Sequence, residues 1–241
     1  METGLLGNLD MHLKVRDAAE LLGVSTKTIY RWIEDKKIPV HHFGDQYRFE
    51  RAELFEFAIQ ERLRPSPRLL QEMEAQDPAT AAECLDNGGI YYRVGGETKR
   101  DVLESALKMI KGVERAAMGP LLEMFLAREQ LASTGIGDGI AIPHTRTPLV
   151  GFVTRPLLSL AFLETPIDYD ALDGKPVQAL FLLVSPTIRA HLVILARLSF
   201  ALKDPLFRQA VLHRETRAKI LDSLRAIESK IPDGSNLSST S

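Results

Sequence analysis

Residues 133–144 read Ser-Thr-Gly-Ile-Gly-Asp-Gly-Ile-Ala-Ile-Pro-His. The three glycines stand at alternate positions and allow a tight backbone path that side chains would obstruct. The apolar run 140–142 then predicts a short strand, which Pro143 ends because proline fixes φ and carries no N–H. We therefore expect His144 to be held in one orientation at a strand end, beside a loop rich in free backbone N–H groups. Such an imidazole suits the uptake and release of an anionic group.

The spacing of these glycines excludes two common nucleotide-binding motifs. They follow the pattern Gly-x-Gly-x-Gly, whereas the dinucleotide fingerprint is Gly-x-Gly-x-x-Gly. No Gly-Lys-Ser/Thr follows, as a P-loop requires. The motif therefore has to be explained by another kind of anion chemistry.

The stretch resembles the phosphorylated-histidine motif of the IIA domains of the bacterial sugar phosphotransferase system, in particular their type 2, fructose/mannitol and nitrogen-regulatory branch. On length, the resemblance covers about the last two thirds of the chain. It implies that His144 accepts a phosphoryl group from an HPr-like phosphocarrier protein, so that the domain acts as a phosphohistidine phosphotransferase relay. It also implies that no ATP, magnesium or other cofactor is required.

Two further residues gain a role through this resemblance. His191 lies on the apolar stripe of a helix predicted over 190–202, where a buried, hydrogen-bonded histidine is the ordinary interpretation. It also stands in the first helical turn, where free N–H groups and the helix dipole attract anions. The family carries a second active-site histidine here and an arginine at the position of Arg128, whose guanidinium fork matches phosphate oxygens. The catalytic residues implied are therefore His144, His191 and Arg128, and the phosphate-binding loop is Ser133, Thr134, Gly135 and Gly137. Arg146 stands where the family varies, and its role stays open.

Apolar runs of strand length alternate with helical patterns over residues 85–228. Strands are predicted at 90–94, 157–163 and 177–184, and helices begin near residues 98, 119, 190, 205 and 216. This alternation predicts an α/β fold with a mixed β-sheet flanked by helices. Residues 64–84 are interpreted as a linker, with Asp77 capping a short helix, and residues 229–241 as a disordered tail.

Residues 11–63 carry a second pattern, of two short helices joined by a turn. Gly23 ends the first helix and Ser25 caps the second. The apolar stripes are Ala18, Leu21 and Leu22 in the first helix, then Ile29, Trp32 and Ile33 in the second. Residues 40–49 are typical of a hairpin around Gly44-Asp45. A third helix follows, with Leu54, Phe55, Ala58 and Ile59 as its apolar stripe.

This segment resembles the winged helix-turn-helix family of excisionase and MerR type, on the matches Leu21-Leu22-Gly23-Val24-Ser25, 28–33, Ile38-Pro39 and 47–49. The resemblance implies that the second helix enters the DNA major groove and that the hairpin is a wing. The DNA-binding candidates are Lys27, Thr28, Arg31 and Arg48. The alternative is that the cations among them are ordinary solvated surface charges. A single module makes few phosphate contacts, so DNA binding is expected to need a homo-oligomer.

Composition limits the remaining possibilities. The chain has 241 residues, 45% of them hydrophobic, and a formal net charge of −2, so no global basic field attracts nucleic acid. Cys84 is the single cysteine, which excludes an internal disulfide. We see neither a membrane-length apolar run nor a signal peptide, and expect a soluble cytoplasmic protein without membrane insertion. No metal site is expected, and His41 and His42 are interpreted as wing residues.

Three functional hypotheses follow. The favoured one is a regulator whose DNA binding or partner binding responds to phosphorylation of the IIA domain. The alternative is a transport component that relays phosphate to a sugar permease, with the N-terminal module as a protein-interaction domain. A third is a IIA domain that has lost phosphorylation and serves as a binding scaffold, against which the retention of all three catalytic candidates argues.

Overall fold

The computed structural model describes residues 12–44, 46–61, 63, 79–145 and 153–230. The chain divides into two compact units, Met1–Leu69 and Leu70–Ser241, and each is described by itself. Several sequence-based predictions fall outside the described residues. These are the hairpin tip at Asp45, most of the linker with the Asp77 cap, Arg146, and the tail beyond residue 230.

The first unit contains three helices and a three-stranded antiparallel sheet among its described residues. The helices are α1 (Val15–Leu22), α2 (Thr26–Glu34) and α3 (Arg51–Gln60). The strands are β1 (His12–Leu13), β2 (His41–Phe43) and β3 (Gln46–Glu50), in the order β1-β3-β2. The hairpin of β2 and β3 was predicted, whereas β1 was not, because two residues are too few to show a periodic pattern.

Local capping chemistry sets the angle between α1 and α2. Gly23 ends α1 in the left-handed conformation with φ of +67°, and the Ser25 hydroxyl accepts the Thr28 N–H at 3.1 Å. The core of the unit contains Trp32, whose ring meets that of Phe57 edge-on at 5.2 Å. Ile33 is only partly buried. In α3 the buried side chains include Leu54, Phe57 and Ala58, while the side chains of Phe55 and Ile59 lie outside the described set.

The second unit is a five-stranded mixed sheet flanked by helices. Its strands are β4 (Ile90–Val94), β5 (Gly135–Gly137), β6 (Ile140–Ala141), β7 (Leu157–Ile167) and β8 (Val177–Val184), in the order β4-β7-β8-β6-β5. Its α-helices are α4 (Ala81–Gly88), α5 (Lys99–Met109), α6 (Met118–Leu131), α7 (Ile188–Leu202), α8 (Pro205–Leu212) and α9 (Arg217–Glu228). β4 runs parallel to β7 and β6 parallel to β8, whereas the pairs β7–β8 and β5–β6 are antiparallel. The predicted α/β class and the mixed sheet are confirmed.

Side-chain caps begin two helices of this unit near the predicted positions. Thr98 and Asp101 form a reciprocal capping box at α5, and Asp204 caps α8 with Pro205 at its first position. α4, however, begins at Ala81 with Thr80 as its cap. Its first half, residues 81–84, falls inside the stretch interpreted as a linker.

The last residue of α9 closes the N-terminus of α4. The buried Glu228 carboxylate accepts the Ala81 N–H at 2.7 Å and the Ala82 N–H at 2.9 Å. It also accepts a hydrogen bond at 3.0 Å from Arg197 of α7. One carboxylate therefore joins three helices. Sequence reasoning missed this contact because its partners lie far apart along the chain.

Gly88 lies where α4 packs closely on β7. A Cβ atom at this position would lie 2.3 Å from the Leu158 carbonyl oxygen, and that backbone cannot move without disturbing the sheet. Gly88→Ala is therefore expected to destabilise the second unit by about 2 kcal/mol or more. Gly119→Ala is the control, because its Cβ would meet nothing within 4 Å. Hydrogen exchange of the buried amides of β7 and β8 should separate the two variants, and equal protection would contradict this packing.

Candidate functional site

His144 lies three residues after the end of β6 and forms a parallel bridge to Leu183 of β8. The Leu183 N–H donates to the Pro143 carbonyl at 3.0 Å and fixes the backbone there. The His144 Nδ1 atom lies 2.7 Å from the Ile142 carbonyl oxygen. Because a carbonyl can only accept, Nδ1 carries the proton, and in a neutral ring the lone pair is on Nε2. The residue is 4% exposed, so protein atoms surround the oriented ring.

His191 meets His144 across the site. The ring centroids are 5.2 Å apart, with an angle of 50° between the planes. His191 is 7% exposed and stands in the first turn of α7, which Thr187 caps by accepting the Ala190 N–H at 3.1 Å. The tertiary structure thus places a second imidazole and a helix N-terminus beside the first ring.

Arg128 is buried in the last turn of α6. Its guanidinium donates to the Ala132 carbonyl at 2.7 Å, where the chain leaves the helix for residues 133–137. This contact places Arg128 at the base of the glycine-rich stretch but does not itself join it to either histidine. Its role as a phosphate ligand stays a prediction.

The glycine-rich stretch differs from the expected open loop. Gly135–Gly137 form β5, which pairs with β6. The Thr134 N–H donates to Glu129 at 3.1 Å, and the Gly135 N–H donates to the Ser133 hydroxyl at 3.1 Å. The expectation of free N–H groups is therefore wrong for Thr134 and Gly135, because both N–H groups already donate to acceptors within the protein. Phosphate binding by Ser133, Thr134, Gly135 and Gly137 stays untested.

A buried carboxylate that sequence reasoning missed lies behind this stretch. Glu129 accepts both the N–H and the hydroxyl of Thr134. Tyr169 is fully buried nearby, and its pKa is raised well above the ordinary value, first by burial and then by the negative charge of Glu129. Glu129 reads in the sequence as an ordinary charge near a helix end, so no local pattern could have singled it out.

The tip of the β5–β6 hairpin is held by charged groups from other elements. Arg208 of α8 and Lys175 both pair with the Asp138 carboxylate, and the Asp138 N–H donates to Asp173 at 2.8 Å. Asp138 itself has a φ of +52°. These contacts connect the hairpin tip to α8 and to the turn at Asp173-Gly174.

In the first unit, the predicted DNA-binding residues divide into two groups. Lys27 and Arg31 are exposed and lie one turn apart on α2, on the same helical face. The Thr28 hydroxyl is hydrogen-bonded to the hydroxyl of Ser25, the N-cap of α2. Arg48 donates to the Tyr47 carbonyl at 3.1 Å and to the Gln46 side chain at 2.5 Å. Of these four residues, Lys27 and Arg31 therefore present exposed charges that make no such local hydrogen bonds within the described residues.

An aromatic contact joins the helix to the hairpin. Tyr30 is 48% exposed, and its ring meets that of Tyr47 edge-on at 6.1 Å. Tyr47 also meets the ring of His42 at 5.0 Å. The exposed face of α2 and the hairpin are thus one continuous surface, as a winged helix-turn-helix requires.

Three potential metal ligands come together beside the hairpin. One ligand atom from each of His41, Glu50 and Glu53 lies within 4.8 Å of the others. His41 Nε2 and Glu53 form a hydrogen bond at 2.7 Å, which explains their closeness without a metal. The interpretation of His41 as a wing residue therefore stands as a prediction.

Residues 83–227 match the family model described as "Phosphoenolpyruvate-dependent sugar phosphotransferase system, EIIA 2". The chain belongs to this EIIA family. Residues 13–62 of the EIIA protein match a second model, described as a helix-turn-helix domain. The sequence-based recognition of both modules is confirmed.

Curated relatives and a solved structure agree with this assignment. The nitrogen regulatory protein of Pseudomonas aeruginosa is 35% identical over 120 residues, which cover 48% of this chain and 76% of the relative. The fructose-specific EIIA component of Haloferax volcanii is 36% identical over 108 residues, 44% of this chain and 68% of the relative. The nitrogen regulatory protein IIA-Ntr of Neisseria meningitidis superposes with a TM-score of 0.51 at 28% identity, covering 59% of this chain and 97% of that one.

The helices of the EIIA protein were also compared with the length and apolarity that a membrane span needs. Among the helices in the described ranges, none is both long enough and apolar enough to cross a membrane.

Proposed function

We propose that this EIIA-family protein is a cytoplasmic regulator linked to the phosphotransferase system. His144 accepts a phosphoryl group from the phosphohistidine of an HPr-like carrier, and the phosphorylation state modulates binding of the first unit to DNA. The observation that carries the proposal is the orientation of His144. Its Nδ1–H is bound to the Ile142 carbonyl at 2.7 Å, so Nε2 is the nucleophile, and a second imidazole stands 5.2 Å away.

The transfer step needs positioning more than covalent chemistry. The Nε2 lone pair of His144 forms the new N–P bond while the N–P bond of the donor phosphohistidine breaks, and the donor imidazole keeps the electron pair. His191 donates an N–H to a phosphoryl oxygen, and the N-terminus of α7 favours the negative charge. Arg128 neutralises further charge. Catalysis of this kind comes from alignment and electrostatics.

The low exposure of His144 has a consequence for the donor. Transfer between two proteins requires the donor ring to reach Nε2, and His144 as a whole residue is 4% exposed. We therefore expect the docked carrier to widen the approach to this ring before transfer.

Charge connects phosphorylation of His144 to DNA binding in this proposal. A phosphohistidine adds negative charge to a chain whose net charge is −2, and such a local change can bias contacts between units or between copies of the chain. A single module offers few phosphate contacts, so the DNA-binding form is proposed to be a homo-oligomer.

A second candidate function is phosphate relay to a sugar permease. The 36% identity to the fructose-specific EIIA component of Haloferax volcanii favours it. In that case the phosphoryl group would pass from His144 to a permease component, and the first unit would bind a protein instead of DNA.

One experiment separates the two. The full-length protein is incubated with labelled phosphoenolpyruvate, the energy-coupling kinase and the carrier, and both forms are then titrated with genomic DNA fragments in a salt series. The regulator predicts labelled protein and a DNA affinity that differs between the two forms. If the protein is labelled but its two forms bind DNA with equal, salt-insensitive affinities, regulation through DNA is contradicted. If the label then passes to a permease component, the relay is supported.

A double substitution that removes two positive charges tests the proposed DNA-binding surface. In Lys27→Ala/Arg31→Ala, two exposed cations on one face of α2 are lost, so DNA affinity is expected to fall at least 10-fold, about 1.4 kcal/mol or more. The slope of log affinity against log salt should also fall in magnitude by about 2. The control Arg225→Ala/Lys219→Ala removes the same charge from exposed positions on α9. If both pairs had the same effect, net charge rather than a docking face would explain binding.

A further inference from the structure

The antiparallel pairing of β5 with β6 is incomplete at its first position. Gly135 lies opposite Ala141, so the next pair along the ladder is Thr134 and Ile142. The Ile142 N–H donates to the Thr134 carbonyl at 3.0 Å. A hydrogen-bonded antiparallel pair normally exchanges two such bonds, and the second would run from the Thr134 N–H to the Ile142 carbonyl.

Glu129 takes the place of that second bond. The Thr134 N–H donates to Oε2 of Glu129 at 3.1 Å, and the Thr134 hydroxyl donates to Oε1. The Ile142 carbonyl instead accepts Nδ1–H of His144 at 2.7 Å. One buried carboxylate thus draws a ladder donor away from the carbonyl that orients the histidine.

We infer that Glu129 is a positioning residue that keeps the Ile142 carbonyl available for His144 and thereby sets the Nδ1–H tautomer, with the lone pair on Nε2. The inference deepens the proposed function, since it concerns the histidine proposed as phosphoryl acceptor. The tautomer is a property of the resting protein and does not depend on a donor. Without Glu129, the buried Thr134 N–H needs another acceptor, and the Ile142 carbonyl is the one that strand pairing offers.

Nuclear magnetic resonance identifies the tautomer of His144 directly. Full-length protein labelled with ¹⁵N-histidine is studied by long-range ¹H–¹⁵N correlation, with His144 assigned from its loss in His144→Asn. In the wild type, Nδ1 should carry the proton. In Glu129→Ala and in the volume-matched Glu129→Leu, at least half of the ring should change to the Nε2–H tautomer. The rate of phosphorylation by the carrier should fall about 10-fold in both, as expected for a misplaced nucleophile.

Two matched variants distinguish positioning from mere stability. Thr134→Val removes the hydroxyl bond from the same buried cluster but keeps the Thr134 N–H on Glu129, so the wild-type tautomer is expected. Glu129→Gln keeps an acceptor oxygen and should restore it as well. Wild-type His144 resonances in folded Glu129→Ala or Glu129→Leu would overturn the inference, and so would failure of both to fold, because the role would then be structural. An unphosphorylated wild type would refute the proposed function and leave the tautomer comparison intact.

Discussion

Replacing His144 with asparagine is expected to reduce phosphoryl incorporation to background, at least about 1000-fold below the wild type. The asparagine amide can still donate to the Ile142 carbonyl, which now accepts Nδ1–H at 2.7 Å, so the local backbone is preserved. What is lost is the ring nitrogen with the nucleophilic lone pair, which an amide nitrogen cannot replace. The measurement is label transferred from phosphoenolpyruvate through the kinase and carrier.

The control for this prediction is another histidine of the same unit. His213 is exposed at the C-terminal end of α8, and His213→Asn should incorporate label at the wild-type rate. His191→Ala is expected to slow incorporation by about 10² without abolishing it, because it removes one donor to the transferred group. Label that survives in His144→Asn, or disappears in His213→Asn, would place the acceptor elsewhere.

Removing the Glu228 carboxylate is expected to cost about 3–5 kcal/mol of the stability of the second unit, the range for breaking a buried charge pair. Glu228→Ala leaves the N–H groups of Ala81 and Ala82 without the acceptor they now use at 2.7 and 2.9 Å. It also removes the carboxylate that pairs with Arg197 in the interior. Both losses fall on buried polar groups, which cannot turn to water.

The measurement must isolate the second unit, because a chain of two units has no single unfolding free energy. Hydrogen exchange of the buried amides of β7 and β8 reports its global opening. Asp222→Ala is the control, since it breaks only the exposed pair with Arg225 on the same helix and should cost under about 1 kcal/mol. In Glu228→Met/Arg197→Met part of the lost stability should return. A loss below about 1 kcal/mol in Glu228→Ala would show that α4 does not depend on this contact.

Features that depend on near neighbours in the chain could be predicted from the sequence. The left-handed Gly23, the Ser25 cap and the Thr98–Asp101 capping box all lie within a few residues of the groups they serve. The apolar runs of β7 and β8 were equally clear, because strands buried on both faces are apolar along most of their length. The glycine-rich β5 was missed, since glycine has low strand propensity and only pairing with β6 makes it a strand.

The sequence by itself determined the two modules, their order, the family of the second, and His144 as the residue to examine. Only the tertiary structure decided which groups surround and orient His144. The meeting of the His144 and His191 rings, whose centroids are 5.2 Å apart, and the capping of α4 by Glu228 each join parts of the second unit that lie far apart along the chain. Caps and periodicity are properties of consecutive residues, whereas these contacts exist only after helices and strands have packed, so no local pattern encodes them.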